Sequence, residues 1–246
     1  MSGRPLSYHA DGRDFEGVVV TPSALDEGPG LLMVPNWLGV TENAVARGER
    51  FAAIGYLVLV VDVFGVDSRP ANMEEAAVQA ENIRDHPQTT RDIMAAAAMA
   101  LQAQSSLLKS APLATIGFCL GGGIALEYAR SGANLAAAVS VHGDLITSLP
   151  AVQGEVKASL LALHGSTDPI SPKAQRDAFE AEMTHARADW HLMVFGDRRH
   201  AFTDLGADNE VAKYDRFADE WSYFLSDRFI KDALARRGLS SGWVLA

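Results

Sequence analysis

The sequence predicts a single α/β domain in which helices flank a mostly parallel central sheet, with little or no cap domain. Strand-like and helix-like segments alternate along the chain, which is typical of such sheets. Several strand-like segments are continuous apolar runs, as expected of strands buried on both faces. The length of 246 residues, with 48% hydrophobic and 21% charged residues, suits one domain with a sizeable core. We therefore treat residues 1–246 as one domain and residues 238–246 as an extended tail.

The predicted strands are short apolar or β-branched runs. In chain order they are residues 6–9, 15–21, 30–34, 56–61, 113–118, 135–141, 158–164 and 190–195. The first two are expected to pair as a hairpin across the turn Asp11-Gly12. The third strand, GLLMV, and the fourth, which stops at Asp62, are apolar throughout and therefore belong in the centre of the sheet.

The predicted helices carry apolar residues at helical spacing or terminal signals. In chain order they are residues 44–53, 73–85, 90–109, 124–130, a helix that starts at 171–172, and residues 210–224. Gly55 is expected to end the first helix, and Pro87 closes the second. Ser171 is predicted as the N-cap of the fifth, with Pro172 at its first helical position.

Charge and cysteine content exclude several classes of protein. The chain has 21 Lys and Arg against 31 Asp and Glu, a net charge of −10, so it would repel a phosphate backbone and nucleic-acid binding is not expected. The single cysteine rules out an intrachain disulfide. The N-terminus lacks the apolar core of a signal peptide, and no apolar run is long enough to span a bilayer. We expect a cytoplasmic protein that does not associate with membranes.

A candidate nucleophile lies where the fifth predicted strand meets a helix. Gly117-Phe118-Cys119-Leu120-Gly121 has the G-x-S-x-G form of the nucleophile elbow, with Cys in place of Ser. The glycines permit the sharp turn, and the N-terminus of the helix favours a thiolate at Cys119 and an oxyanion at the N–H of Leu120. A lone cysteine is more often a small buried apolar residue, but the strand before it and the helix after it favour the elbow. No Gly-Lys-Ser/Thr follows, so this is not a phosphate-binding P-loop.

Two later loops supply a candidate acid and base. In α/β-hydrolases the nucleophile is followed in the chain by Asp or Glu and then by His, each after a later strand. Asp168 and His200 fit this order and placement. His200 would take the thiol proton and later protonate the leaving group, and Asp168 would orient the imidazole. Neither residue type is informative alone, and the other histidines are less well placed. No cluster of Cys and His predicts a metal site.

Further residues are expected around the nucleophile. The loop after the third strand should supply the second oxyanion donor, and the N–H of Trp37 is the predicted group. The candidates for lining the substrate pocket are Asn36, Phe118, His142 and Phe202. For His142, a role in the core or at the rim is an equal alternative.

These motifs together resemble the dienelactone hydrolase family. The resemblance rests on the sequence GFCLGG around Cys119, on Asp168, on His200-Ala-Phe and on the loop PNWLGV, and it covers at least residues 31–200. It implies an α/β-hydrolase fold, no cofactor, and hydrolysis of lactones or related esters through a thioester. Two positions depart from the family pattern: Asn36 replaces a Glu that helps to activate the thiol, and Asp204 lies near the position of a substrate-binding Arg.

The sequence leaves three hypotheses about function. The first is a hydrolase of a small carboxylic ester or lactone, acting as a monomer or homodimer. The second is a non-catalytic protein of the same fold that binds a ligand or a partner, for which Asn36 is the best support. The third is a redox sensor that uses Cys119, which is the weakest because no second cysteine is present to resolve an oxidised sulfur.

Overall fold

The structure, a computed structural model, describes residues 3–22 and 28–239. Within them a single eight-stranded sheet has the order β1-β2-β4-β3-β5-β6-β7-β8. The strands are β1 (Arg4–Ala10), β2 (Arg13–Val20), β3 (Gly30–Val34), β4 (Leu57–Val60), β5 (Leu113–Phe118), β6 (Leu135–Val141), β7 (Ser159–Gly165) and β8 (Asp189–Phe195). All eight predicted strands are confirmed, each within two residues of its predicted ends.

The sheet is antiparallel at one edge and parallel elsewhere. Strand β1 pairs antiparallel with β2, as the predicted hairpin requires, and β2 pairs antiparallel with β4. The pairs from β4 through β3, β5, β6 and β7 to β8 are all parallel. Their carboxyl ends therefore meet at one edge of the sheet, and the loops that begin there carry the candidate site.

Across the described residues, six α-helices cover the two faces of the sheet. They are α1 (Glu42–Ala53), α2 (Met73–Asp85), α3 (Pro87–Gln102), α4 (Leu120–Arg130), α5 (Lys173–His185) and α6 (Arg216–Arg236). One core cluster joins α2, α3, α4 and α5 to the sheet, and a second joins α1 and α6 to the opposite face. The sheet is thus buried on both sides, which explains why its central strands are mostly apolar and why β3 and β4 are apolar on every residue.

Helix α3 differs from the prediction at both ends. The predicted range was 90–109, but the helix begins at Pro87 and ends at Gln102. Proline at the first helical position costs no hydrogen bond, so Pro87 starts α3 as well as closing α2. Beyond the helix, the side chain of Ser105 accepts from the N–H of Leu107 and starts a separate short 3-10 turn.

Three other helix starts were predicted wrongly. Helix α4 begins at Leu120 rather than at residue 124, directly after the nucleophile. Helix α5 begins at Lys173 without a side-chain cap, because the hydroxyl of Ser171 instead lies 3.0 Å from the carbonyl oxygen of Gly143. Helix α6 begins at Arg216 rather than at residue 210, since Asp215 caps its N-terminus by accepting from the N–H of Ala218. It ends at Arg236 rather than at residue 224.

The predicted tail is described only in part. Gly238 follows α6 with a φ of +83°, and Leu239 is partly buried against the second core cluster. Leu239 therefore contacts the domain, and the extended tail stays a prediction. The other residues of the predicted tail, 240–246, lie outside the described residues.

Candidate active site

The candidate nucleophile lies in a strained turn between β5 and α4. Cys119 has φ 55° and ψ −122°, a conformation that side chains other than glycine rarely adopt, and its side chain is partly exposed. The flanking glycines are required by close contacts. A Cβ on Gly117 would overlap the carbonyl oxygen of Gly121, and a Cβ on Gly121 would overlap that of Val34. The predicted sharp turn is therefore present, with the thiol at the carboxyl edge of the sheet.

The three residues predicted as a triad lie in one hydrogen-bonded line. Nε2 of His200 is 3.0 Å from Sγ of Cys119, across 81 residues of sequence. Nδ1 of His200 is 2.8 Å from Oδ2 of Asp168. The other carboxylate oxygen of Asp168 accepts from the N–H groups of Ile170, at 2.8 Å, and Ser171, at 3.2 Å. Because these bonds fix both oxygens, the carboxylate holds the imidazole with Nε2 directed at the sulfur.

The electrostatics of this line favour a charged histidine. Burial lowers the pKa of His200, but the hydrogen bonds and charges of Asp168 and Cys119 outweigh it and raise the pKa to about 10. Burial acts to raise the pKa of Asp168, yet the hydrogen bond and charge of His200 and two backbone N–H groups hold it below its usual value. The arrangement therefore stabilises an imidazolium at His200 next to the carboxylate of Asp168.

A backbone clamp holds His200 in place. Its N–H donates to the carbonyl of Val211 at 3.2 Å, and its carbonyl accepts from the N–H of Lys213 at 3.0 Å. Residues 210–213, within the segment 209–213 that supplies these groups, were predicted as helix. This segment is instead a turn, in which the side-chain oxygen of Asn209 accepts from the N–H groups of Val211 and Ala212. The turn sets the position of the loop that carries His200 before α6 begins.

The two departures from the family pattern contact each other. The amide nitrogen of Asn36 donates to a carboxylate oxygen of Asp204 at 3.2 Å, and its amide oxygen accepts from the N–H of Leu38 at 3.1 Å. The other oxygen of Asp204 is bonded by Arg47 at 2.7 Å. A carboxylate at position 36 would face the carboxylate of Asp204, so an amide suits this partner better than the acid of the family pattern.

A second polar group lies behind the nucleophile. Nδ1 of His142 is 3.2 Å from the backbone N of Cys119, and Nε2 is 2.8 Å from Oγ1 of Thr203. Arg47 also donates to Oγ1 of Thr203, at 2.8 Å, while its guanidinium lies 4.2 Å from the ring centre of Phe118. Arg47 thus connects Thr203 and Asp204 to helix α1.

Most of the predicted pocket residues are too buried to line a pocket. The exposed fractions are 2% for Phe118 and 0% for both His142 and Phe202, so these side chains form the floor beneath the site. For His142 the structure supports the alternative of a core role. Asn36 is partly exposed and is the one of these four that a substrate could contact.

Two backbone N–H groups are available as oxyanion donors. Leu120 is the first residue of α4, and Trp37 follows β3 in a turn closed by the hydrogen bond from the N–H of Gly39 to the carbonyl of Asn36. Neither N–H donates to an acceptor in the described part of the chain. Both loops begin at the sheet edge that carries Cys119.

Across residues 3–22 and 28–239, no three His, Cys, Asp or Glu side chains are grouped so as to hold a metal ion. None of the helices in those two ranges combines the length and the apolar character needed to cross a bilayer.

The pattern of the dienelactone hydrolase family matches residues 15–232, which is most of the chain. The chain belongs to the dienelactone hydrolase family. A candidate carboxymethylenebutenolidase of Methylorubrum extorquens is 27% identical over 185 residues, which cover 71% of this chain and 63% of that protein. The chain thus spans less than two thirds of this curated relative.

Two solved structures are similar over nearly the whole chain. The structure of m3DLH has a TM-score of 0.86 at 28% identity and covers 94% of this chain and 98% of its own. A dienelactone hydrolase-like promiscuous phosphotriesterase from metagenomic libraries has a TM-score of 0.83 at 28% identity, covering 92% and 95% respectively. The α/β-hydrolase fold predicted from the sequence is confirmed.

In this dienelactone hydrolase family member, sequence reasoning missed Arg47 and Thr203. Thr203 follows His200 closely, in the segment His-Ala-Phe-Thr-Asp, so its hydroxyl could have been considered. Nothing in the sequence indicated that Arg47 lies near the site, because an arginine in an amphipathic helix is ordinarily a solvated surface residue. The bond between Asn36 and Asp204 joins positions 168 residues apart and could not be read from one sequence.

Proposed function

We propose that this protein hydrolyses small, uncharged carboxylic esters or lactones through a thioester on Cys119. One observation carries the proposal: the continuous hydrogen-bonded line from Sγ of Cys119 through His200 to Asp168, built on a strained turn at a helix N-terminus. Family membership supports the same class of chemistry, since it is a family of hydrolases.

The proposed reaction has two halves. First, Nε2 of His200 holds the thiol proton while Sγ of Cys119 attacks the carbonyl carbon and the carbonyl oxygen becomes an oxyanion. The C–O bond to the leaving alcohol then breaks, and His200 gives its proton to that oxygen, which leaves a thioester. In the second half, His200 takes a proton from water, the hydroxide attacks the thioester, and the C–S bond breaks to release the acid and restore Cys119.

The N–H groups of Leu120 and Trp37 are our proposed donors to the oxyanion. Each is at the correct sheet edge, and neither N–H has an acceptor in the part of the chain that the structure describes. A preorganised pair of this kind lowers the barrier because it matches the charge that develops in the transition state. Asn36 cannot take a proton, so His200 acts alone as the base.

The charges around the site favour a substrate without a carboxylate. Arg47 is bonded to Thr203 and to Asp204, so its charge is balanced rather than free to bind an anion. Asp204 itself is partly exposed, with 24% of its side-chain surface accessible, and would repel a substrate carboxylate. We therefore expect neutral esters to react faster than esters that carry a carboxylate nearby.

A second candidate activity is slow cleavage of aryl phosphotriesters. The metagenomic relative that is named a promiscuous phosphotriesterase shares 28% identity and a TM-score of 0.83 with this chain. A thiolate can attack a neutral phosphoryl centre as it attacks a carbonyl.

The cytoplasmic location and the monomeric or homodimeric state stay predictions from the sequence.

The deciding experiment measures how fast the purified protein hydrolyses each of three nitrophenyl substrates. We expect p-nitrophenyl acetate to be hydrolysed, mono-p-nitrophenyl succinate to react at least about tenfold more slowly, and diethyl p-nitrophenyl phosphate to react slowest. Cys119→Ala should lower acetate turnover by about 10³-fold or more while the protein stays folded. A folded wild type without turnover, or a Cys119→Ala variant with full turnover, would refute the proposal in favour of the binding protein or another nucleophile.

A further inference from the structure

We propose that His142 and Thr203 are positioning residues for this hydrolysis, which together tie the backbone of Cys119 to the loop that carries His200. The inference rests on the proposed function, because it assigns these residues to the same reaction. Neither side chain is expected to touch the substrate, since the exposed fractions are 0% for His142 and 3% for Thr203.

The hydrogen bonds of His142 fix its tautomer. The backbone N–H of Cys119 can only donate, so Nδ1 of His142, 3.2 Å away, must carry a lone pair. The proton of the neutral ring is therefore on Nε2, which donates to Oγ1 of Thr203 at 2.8 Å. Burial, followed by the positive charges of His200, Arg47 and His164, keeps the pKa of His142 well below its usual value, so the ring stays neutral.

This bond acts on the strained residue itself. Cys119 has a φ of +55°, and its N–H is shared between the carbonyl of Val141, at 3.0 Å, and Nδ1 of His142. His142 also has a positive φ, +41°, which places its ring beneath the turn. Strained residues of this kind persist only where their surroundings hold them. The bond from Cys119 to His142 is one such restraint.

Thr203 carries the restraint to the other half of the site. It lies in the turn that begins at His200, closed by the bond from the N–H of Asp204 to the carbonyl of Ala201 at 2.9 Å. Oγ1 of Thr203 accepts from His142 and also from Arg47, at 2.8 Å each, so both acceptor positions of the hydroxyl are filled. Arg47 further bonds the carbonyl of Thr203 at 3.1 Å. The hydroxyl is thereby held between the nucleophile turn and helix α1.

The consequence is a defined distance between sulfur and imidazole. Cys119 and His200 lie on loops after β5 and β8, and their contact of 3.0 Å must survive the motion of both loops. A second connection joins the same two loops: the backbone N–H of Cys119 bonds to the ring of His142, and that ring bonds to the hydroxyl of Thr203. Because a misplacement of about 1 Å can cost about 10²-fold in rate, loss of this connection should lower the rate of the chemical step.

The test is a matched pair of substitutions at one position. Thr203→Val keeps the shape and removes the hydroxyl, whereas Thr203→Ser keeps the hydroxyl. With p-nitrophenyl acetate, Thr203→Val should lower kcat by about tenfold with KM changed less than about twofold, and Thr203→Ser should stay within about threefold of wild type. Thr115→Val is the structural control, since this equally buried hydroxyl donates to the carbonyl of Leu32 within the sheet.

A second measurement separates this inference from the proposed function. Cys119 is the single cysteine, so its alkylation by iodoacetamide can be followed without an ester. Thr203→Val should slow alkylation at pH 7 by several-fold, because the reactivity of Sγ depends on its contact with Nε2 of His200, and Thr115→Val should not. If wild type hydrolyses no ester, the proposed function fails, yet the alkylation comparison still decides this inference.

The inference is overturned if Thr203→Val keeps both kcat and the alkylation rate of wild type. It is also overturned if Thr115→Val lowers kcat and the alkylation rate as much as Thr203→Val does, with equal melting temperatures for the two variants. The loss would then follow from removing any buried hydroxyl and not from the contact with His142. Should Thr203→Val fail to fold, His142→Gln replaces it, because the Gln side chain has both an acceptor and a donor. His142→Phe, which has neither, should then lose kcat while His142→Gln retains most of it, and equal rates in the two variants would contradict the inference.

Discussion

The side-chain amide of Asn36 donates a hydrogen bond to the carboxylate of Asp204, 3.2 Å away. The contact joins the loop after β3, which also carries Trp37, to the loop after His200. Both residues depart from the pattern of the family that the chain resembles, and they do so as a complementary pair. We therefore interpret Asn36 as the hydrogen-bond donor that suits Asp204, and not as a sign of lost activity.

This pairing predicts the outcome of a double-mutant cycle. Asn36→Asp would place a carboxylate against that of Asp204 and should lower the free energy of unfolding by about 1–3 kcal/mol, with a lower kcat. Adding Asp204→Asn to Asn36→Asp restores a donor opposite an acceptor and should recover most of both losses. The measurement is urea unfolding with ester kinetics for all four proteins. Additive losses in the double variant would show that the two side chains do not interact.

The glycines of the turn predict a steep difference between neighbouring positions. Gly117→Ala brings a Cβ into the carbonyl of Gly121, so the backbone must move, and we expect a loss of at least about 3 kcal/mol of stability. Gly123→Ala is the matched control in α4, where the added Cβ would lie 3.2 Å from both Cβ and the carbonyl oxygen of Asp144, a contact that a small shift relieves, and helix propensity improves. Thermal unfolding measures both. Equal melting temperatures would mean that the turn is looser than described.

The raised pKa of His200 predicts a leaving-group-dependent pH profile. Its folded pKa, about 10, lies above the usual 6.5, so the stability gained from its contacts is fully present below pH 6.5 and is lost as pH rises through 10. Hydrolysis of an ethyl ester needs the His200 proton for its leaving group and should fall above about pH 10. Acylation by p-nitrophenyl acetate needs no such proton and should not fall there. Parallel profiles for the two esters would contradict the assigned role.

A buried histidine next to the triad predicts acid sensitivity. His164 is fully buried, neither ring nitrogen has a hydrogen-bond partner in the described residues, and burial is the main cause that lowers its pKa to about 4. Between pH 6.5 and 4 the unfolded chain therefore binds the extra proton, and stability falls as pH falls. His164→Leu should flatten this dependence by up to about 1.4 kcal/mol per pH unit. An unchanged slope of unfolding free energy against pH would disprove this assignment.

The sequence was sufficient for the strands and for the order of the site residues. Apolar and β-branched runs identify the strands well, because burial on both faces leaves few polar residues in the central ones. The turn at Cys119 could be predicted because its glycines are a steric necessity of the motif. Residues 119, 168 and 200 could be brought together because parallel strands end at one edge.

What could not be predicted depends on contacts between distant segments. The start of α6 was missed because the turn at Asn209, which pairs with the loop of His200, replaces the predicted first turns of the helix. Phe118 and Phe202 were expected to line the pocket, yet both are sealed beneath it. Exposure of an aromatic residue next to a catalytic one depends on what packs over it, and one sequence does not contain that information.

The most direct test is to trap the acyl-enzyme. The protein is mixed with excess p-nitrophenyl acetate, quenched in acid within the first turnover, and examined by intact mass and by peptide mapping. The account predicts one added acetyl group on the peptide that contains Cys119, removable by hydroxylamine and absent from Cys119→Ala. Turnover without any acyl group on Cys119, or an acyl group on another side chain that forms and decays at the rate of turnover, would contradict it.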